Sequence, residues 1–276
     1  MGQLIGFRKL CFWGHGKNFK EHRVSTVGEY FKNVMSRRVH WWFAYNDRSA
    51  EIVRDLGYPA ERITSVQNAI DTTGLMNAMR KVTSATLDHL KTAHHIAGNN
   101  ICYFSGAMYE EKRIDFLIEA CLQIKRIVPD FEMIFMGGGP DEQKVRAAVE
   151  QFPWLHYLGP KFDDERAPFM MMSKLLLMPG LVGLVILDAL IMEKPTVTTA
   201  VPYHSPEIHY LIDQVNGVVV RDAESPTKYA TAVAGLLNDT ATYERLVAGC
   251  RIFKGQYTIE NMVENFASGI AKALKK

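Results

Sequence analysis

The run MPGLVGLVILDALIMEKP, Met178 to Pro195, decides how this chain folds. Extended back to Leu175, it offers 18 residues up to Met192 with a single charge, Asp188. A transmembrane helix needs roughly 20 apolar residues in succession. Pro179-Gly180 and Gly183 interrupt this run, and Asp188 would cost about 3 kcal/mol at a bilayer centre. The same letters read better as a strand end, a glycine turn and a buried helix carrying one carboxylate. Unpaired N–H groups at a helix start favour anions. A carboxylate one turn further on can accept hydrogen bonds from hydroxyls. The run therefore reads as a place for a phosphorylated, hydroxyl-rich ligand.

The surrounding sequence repeats the same alternation. Ile101 to Phe104, Phe131 to Met136, Leu155 to Leu158, Lys174 to Met178, Thr196 to Thr199 and Val218 to Val220 read as strands. Between them lie helical patterns at Arg113 to Val128, Asp141 to Gln151, Asp164 to Met172 and Leu184 to Met192, with another at Pro226 to Leu237. Strands alternating with helices argue for a parallel, doubly wound sheet. Glycine turns follow several strands: Ser105-Gly106, Gly137-Gly138-Gly139-Pro140 and Gly159-Pro160. In such sheets ligands sit at the carboxyl ends of the strands.

Upstream, Lys9 to Trp13, Val39 to Tyr45 and Ile63 to Gln67 read as strands, and Ser25 to Val39 and Ser49 to Gly57 as helices. Residues 1–72 are expected to form a partial N-terminal domain. The polar stretch 73–99 is expected to connect it to a second domain at 100–255, with a helix near Thr83 to His94 and with His94 and His95 on its surface. Residues 256–276 read as a final helix, set to pack back on the first domain.

The 276 residues are 47% apolar and 22% charged, with a net charge of +2. That is the composition of a globular protein with a sizeable core, and the balance does not suggest nucleic-acid binding. The charge is uneven. Residues 1–45 hold eight cations (Arg8, Lys9, Lys17, Lys20, Arg23, Lys32, Arg37, Arg38) against Glu21 and Glu29, leaving the remainder net acidic. Phe12, Trp13, Phe19, Trp41, Trp42 and Phe43 lie among them. A basic, aromatic end can touch an anionic membrane surface; the plainer reading is a solvated face with core aromatics. Cys11, Cys102, Cys121 and Cys250 are widely spaced, which suits reduced core residues of a cytosolic protein. The N-terminus has no apolar core of a signal peptide.

Several ordered segments together resemble the GT-B glycosyltransferases of family 4, the group 1 glycosyltransferases. Asn68-Ala69-Ile70-Asp71 is similar to the family's NGVD. Ser105-Gly106 through Lys112 to Asp115-Phe116-Leu117-Ile118-Glu119-Ala120 is similar to G-R…K-G-x-x-x-L-L-x-A. Phe135 to Pro140 is similar to V-G-x-G-P, and Tyr157-Leu158-Gly159 to F-L-G. Met178 to Pro195 is similar to P-S-x-x-E-G-F-G-L-x-x-x-E-A-x-A-x-G-x-P. Ser205-Pro206-Glu207-Ile208 and Asn216-Gly217 are similar to G-x-P-E-I and N-G.

The resemblance implies a GT-B-like fold: a doubly wound, Rossmann-like C-terminal domain and a partial N-terminal Rossmann-like domain whose first strands and glycine loop are missing. It implies transfer of a sugar from a UDP-, GDP- or ADP-linked donor to a glycan or lipid-linked acceptor, retaining and metal-independent, with no cofactor. Cell-surface polysaccharide synthesis in the cytoplasm follows, with peripheral contact at the inner membrane face. Gly106, Lys112 and Gly138 would lie at the donor, Lys112 on its diphosphate. Gly180, Leu181, Gly183 and Leu184 would face its phosphate and sugar. Asp188 would bind ribose, Phe162 would border the base, and His204 and Glu207 would complete the site. His15 would act on the acceptor side. Three departures stand out: Gly180 replaces the first glutamate of E-x7-E, Asp188 shortens the second, and Ala107 replaces an arginine. They suit a subfamily style, or else a catalytically impaired nucleotide-sugar-binding protein or a fragment needing a partner.

Overall fold

The computed structural model describes residues 9–16 and 38–275. The basic cluster at Arg8, Lys17, Lys20, Arg23, Lys32 and Arg37, and almost all of the expected helix Ser25 to Val39, lie outside the described residues. The chain forms two compact units.

The first unit gathers the described residues up to Ile70, the short segment Ser205–His209, and the stretch from Gln256. Its parallel sheet has the order β1 (Cys11–Gly14), β2 (Trp41–Ala44), β3 (Ile63–Ser65). Side chains alternate along β2, as a strand requires. Trp42 turns to one face and packs with Val53 of helix α1 (Asp47–Asp55) and with Tyr58. Trp41 and Phe43 turn to the other, where Met262, Phe266 and Ala273 approach from the last helix, Ile259–Lys275. Gly269 lets that helix lie close, since a Cβ there would stand 2.6 Å from both Phe43 Cε1 and Thr64 Oγ1. Lys9 and His40 bond the Ala273 carbonyl at 2.8 and 2.7 Å. Donors there satisfy carbonyls left open by the helix end.

The second unit, Asp71–His204 and Tyr210–Gly255, holds a six-stranded parallel sheet. Its strands are β4 (Asn100–Ser105), β5 (Phe131–Met136), β6 (Leu155–Tyr157), β7 (Leu175–Leu177), β8 (Thr196–Thr199) and β9 (Gly217–Val220), in the order β6-β5-β4-β7-β8-β9. All six residues of β5 are buried, as are all of β7 and β8, because helices cover both faces. The one charged residue in these three strands, Glu132, is hydrogen-bonded to His156 at 2.6 Å and to the Gly98 N–H at 3.0 Å. The sheet order reverses between β4 and β7. A crevice opens at the carboxyl ends of the strands at such a switch point.

Residues 73–99 are more than a connection. They form α2 (Thr73–Lys81) and α3 (Ser84–Ala93), both packed on helix Asp163–Met172 of the second unit. Leu75 and Ala78 are buried, and the His94 ring meets Phe169 edge-on at 5.2 Å, so His94 is half-buried while His95 is exposed. The helices that follow are α4 (Ile114–Ile127), α5 (Glu142–Gln151), α6 (Asp163–Met172), α7 (Val185–Ile191), α8 (Pro226–Asn238), α9 (Thr240–Phe253) and α10 (Ile259–Lys275). The opening apolar run is thus β7, a turn and the seven-residue α7. Among the described residues no helix is long and apolar enough to cross a membrane. Cys102, Cys121 and Cys250 are buried, whereas Cys11 lies on the exposed edge strand β1 rather than in the core.

Candidate functional site

Three loops at the carboxyl ends of β4, β5 and β6 are joined by backbone hydrogen bonds. Gly106 N–H donates to Met136 O, Met108 N–H to Gly138 O, and Gly137 N–H to Gly159 O, at 2.8 to 3.0 Å. The glycines make this possible. Gly137 has φ +143°, and a Cβ on it would lie 1.9 Å from Gly106 O; on Gly139 one would lie 2.4 Å from Met108 O. Above these loops is a cleft of about 570 Å³. Gly106, Ala107 and Gly138 form its floor, Pro160, Lys161 and Phe162 one wall, and Glu142 and Arg166 project from α5 and α6. Phe162 is 72% exposed, a flat apolar surface at the rim.

Arg166 is the key to the second carboxylate. Its two terminal nitrogens donate to Asp188 Oδ2 and Oδ1 at 2.7 and 3.2 Å. Asp188 is 3% exposed on α7, so the guanidinium compensates a buried charge through a two-pronged bond. The resemblance assigns this carboxylate to ribose hydroxyls; in the structure both of its oxygens accept from Arg166. Nothing in the sequence marked Arg166, which stands 22 residues away in a helix of mixed charge. Glu142 and Lys161 were equally unmarked. Glu142 accepts from Arg146 at 2.8 Å, and this bond, first among the causes, holds its carboxyl below the usual range.

Lys112 is 6% exposed and donates to Leu181 O at 2.5 Å, while Leu181 N–H donates to Glu111 O at 2.7 Å. The 3₁₀ turn Glu110–Lys112 is thereby laced to the loop after β7. Gly180 lies in that contact. A Cβ on it would come within 2.1 Å of Glu111 O and 2.8 Å of Lys112 Cα. The position where the resemblance expects a glutamate therefore has no room for any side chain. Leu181 is buried beside it; Gly183 and Leu184 are half-buried, leading into α7, with Gly183 O accepting from Ile186 N–H at 3.2 Å.

His204, which the resemblance sets at the donor site, is bonded to backbone through both ring nitrogens. Its Nδ1 accepts from Val182 N–H at 3.0 Å, and its Nε2 bonds Thr199 O at 2.7 Å. A carbonyl can only accept, so Nε2 carries the proton and the ring is neutral. Burial draws its pKa below the usual 6.5, opposed by the Thr199 bond and assisted by Lys112. With both nitrogens bonded to backbone, His204 braces the loop.

Glu207 belongs to the first unit, on Ser205–His209. It is 5% exposed and accepts from Asn68 Nδ2 at 3.0 Å, while Asn46 Nδ2 donates to Pro206 O at 2.7 Å. His15 is also in the first unit, its ring 4.0 Å from that of Tyr45. The structure thus brings Gly106, Gly138 and Phe162 to one cleft, sets Lys112, Gly180, Leu181 and His204 in the adjoining laced loop, and puts His15 and Glu207 in the other unit.

The sequence profile described as "Glycosyl transferases group 1" matches residues 99–239, just over half of the chain and most of the second unit. The chain belongs to this family. No curated protein sequence matches this glycosyltransferase. Solved structures do. HepE of Anabaena in complex with UDP is similar at a TM-score of 0.77 and 17% identity, over 98% of this chain and 74% of that one. A glycosyltransferase from Rickettsia africae gives 0.70 and 12%, over 93% and 69%. TarM of S. aureus gives 0.66 and 16%, over 92% and 48%. At these identities the likeness is one of fold, here GT-B, with two parallel-sheet units.

Proposed function

We propose that this glycosyltransferase moves a sugar from a nucleotide-sugar donor to a glycan or lipid-linked acceptor, with retained configuration and without a bound metal, in the manner of family 4. The observation that carries the reading is the glycine-floored cleft at the carboxyl ends of β4 to β6, walled by Lys161 and Arg166. A diphosphate needs close backbone approach and positive charge, and this cleft supplies both. Phe162 would face the base, and Lys112 would hold the loop that meets the donor phosphate. His15, beside Tyr45, would serve the acceptor side. Because HepE structures hold UDP and UDP-glucose, UDP-sugars are the first donors to test. The work would take place on the cytoplasmic side, touching the membrane only at its periphery.

The test is release of nucleoside diphosphate from UDP-, GDP- and ADP-sugars with glycan and lipid-linked acceptors, with and without chelator. The expected result is acceptor-dependent release that survives chelation and gives a product of unchanged anomeric configuration by NMR. Inversion, or loss of activity on chelation, would overturn those parts of the reading.

A second reading is favoured by Gly180. A donor-sugar carboxylate cannot be accommodated there. On that reading the chain binds nucleotide sugars without turning them over. Tight donor binding with no release in the presence of any acceptor would establish it.

A further inference from the structure

We infer that the Arg166–Asp188 pair presents a cation to the donor cleft. Arg166 contacts the diphosphate, and Asp188 is a positioning residue that holds the guanidinium rather than a group that binds ribose. The inference rests on the nucleotide-donor reading above and specifies which side chain that donor meets.

Three observations point the same way. Arg166 lines the cleft, whereas Asp188 is 3% exposed and is not part of the lining. Both carboxylate oxygens accept from the fork, at 2.7 and 3.2 Å. A ribose hydroxyl would have to compete with two charge-assisted bonds, about twice as strong as neutral ones. Third, the charged side chains lining the cleft are Glu142, Lys161 and Arg166. Glu142 is bonded to Arg146 and Arg166 to Asp188, so Arg166 meets an anion through the N–H groups that Asp188 leaves over. Ala107 faces the same cleft without any charge. Arg166 supplies guanidinium N–H donors to a cavity whose first glycine loop carries no charged side chain. Each terminal nitrogen of a guanidinium carries two N–H groups, so an arginine held by a carboxylate still has donors for phosphate oxygens. An aspartate, one methylene shorter than glutamate, leaves the space beside α7 for the guanidinium to occupy.

The experiment measures binding by calorimetry. The probe is whichever of UDP, GDP and ADP binds the parent chain most tightly, with its nucleoside and its 2′-deoxy diphosphate. Arg166→Lys and the charge-neutral double variant Arg166→Met/Asp188→Leu are compared with the parent, after circular dichroism has confirmed folding. The double variant leaves no unpaired buried carboxylate; should it fail to fold, Arg166→Lys carries the test. We expect the diphosphate to weaken by about ten- to a hundred-fold, as for lost charged hydrogen bonds, and the nucleoside by less than about twofold. In Asp188→Asn, the diphosphate and its 2′-deoxy form should weaken by the same factor, and Asp188→Glu should restore part of the loss. Unchanged diphosphate binding in the Arg166 variants would overturn the inference alone. So would an Asp188→Asn penalty that disappears for the 2′-deoxy ligand. If the parent binds none of the three diphosphates, the donor reading itself fails and the inference falls with it.

Discussion

Gly180 carries more consequence than its size suggests. A Cβ at this position would run into backbone of the turn Glu110–Lys112, so a substitution must move main chain rather than a flexible side-chain tip. We predict that Gly180→Ala lowers unfolding free energy by about 1–3 kcal/mol, the usual range for overpacking, measured by urea denaturation. Gly180→Glu should cost more and restore no activity. Gly106 makes the contrast. A Cβ there meets nothing within 4 Å, but φ is +141°, so Gly106→Ala should be strained through backbone conformation alone. His204 gives a residue-level pH prediction. Its folded pKa is depressed, so the unfolded chain takes up a proton first as pH falls below 6.5. Stability from this group is complete above 6.5 and declines toward acid. Denaturation midpoints at about pH 7 and about pH 5 should therefore converge in His204→Gln relative to the parent.

At the scale of elements, Glu132 on β5 and His156 on β6 form a buried bond, each side chain about 7% exposed. Breaking such a pair on one side leaves a polar group stranded, at a cost of about 3–5 kcal/mol, whereas replacing both by apolar residues is often neutral. His156→Leu should thus be severely destabilised, and Glu132→Leu/His156→Leu should recover most of the loss in a double-mutant cycle. The strands themselves were legible in the sequence. Most strands of the second sheet are short apolar runs closed by a turn or a polar residue, and β8, Thr-Val-Thr-Thr, is β-branched throughout. In 73–99 the helix expected near Thr83 to His94 is α3, while α2, which buries only Leu75 and Ala78, has no counterpart in the sequence reading. With two buried positions in nine residues, α2 lies in a stretch polar enough to read as a connection. Arg166 and the two bonds of His204 escaped for another reason. Their partners lie 22 and 5 or 22 residues away, and no local pattern encodes which side chain a fold will bring to a carboxylate or an imidazole.

For the whole molecule, the alkaline limit follows from what is buried. Desolvation raises the pKa of Cys102 and Cys121, and that of Cys250 to about 12, from 9.0; it does the same for Tyr103 and Tyr229 from 10.0. These groups stay protonated in the folded chain while the unfolded chain ionises. Their contribution is complete below 9 and is lost as pH rises beyond it. Lys194 acts in the opposite sense. Burial draws it from 10.5 to about 8, so its penalty is relieved as pH climbs from 8. Three thiols and two phenols outweigh one amine. A stability profile against pH should therefore turn downward above about 9, and Lys194→Met should steepen the fall. A saturating donor diphosphate at a hundred times its Kd should add about 2.7 kcal/mol by mass action. Its hydrogen-exchange protection should be concentrated in residues 105–108, 137–140 and 159–166, where the cleft lies.

The packing of α10 on β2 and β3 bears on the order in which the molecule can be completed during synthesis. Domains usually form as they leave the ribosome, the N-terminal one first. Here the sheet made from residues 11–65 needs Met262, Phe266 and Ala273 to cover its Trp41 and Phe43 face. It also needs Ser205–His209, which engages Asn46 and Asn68. Every strand of the other sheet has been made by Val220. The unit translated first is then the one finished last. Its Trp41 and Phe43 wait uncovered through some two hundred residues of elongation, and a nascent chain stalled before residue 259 should still be sensitive to protease in its earliest segment.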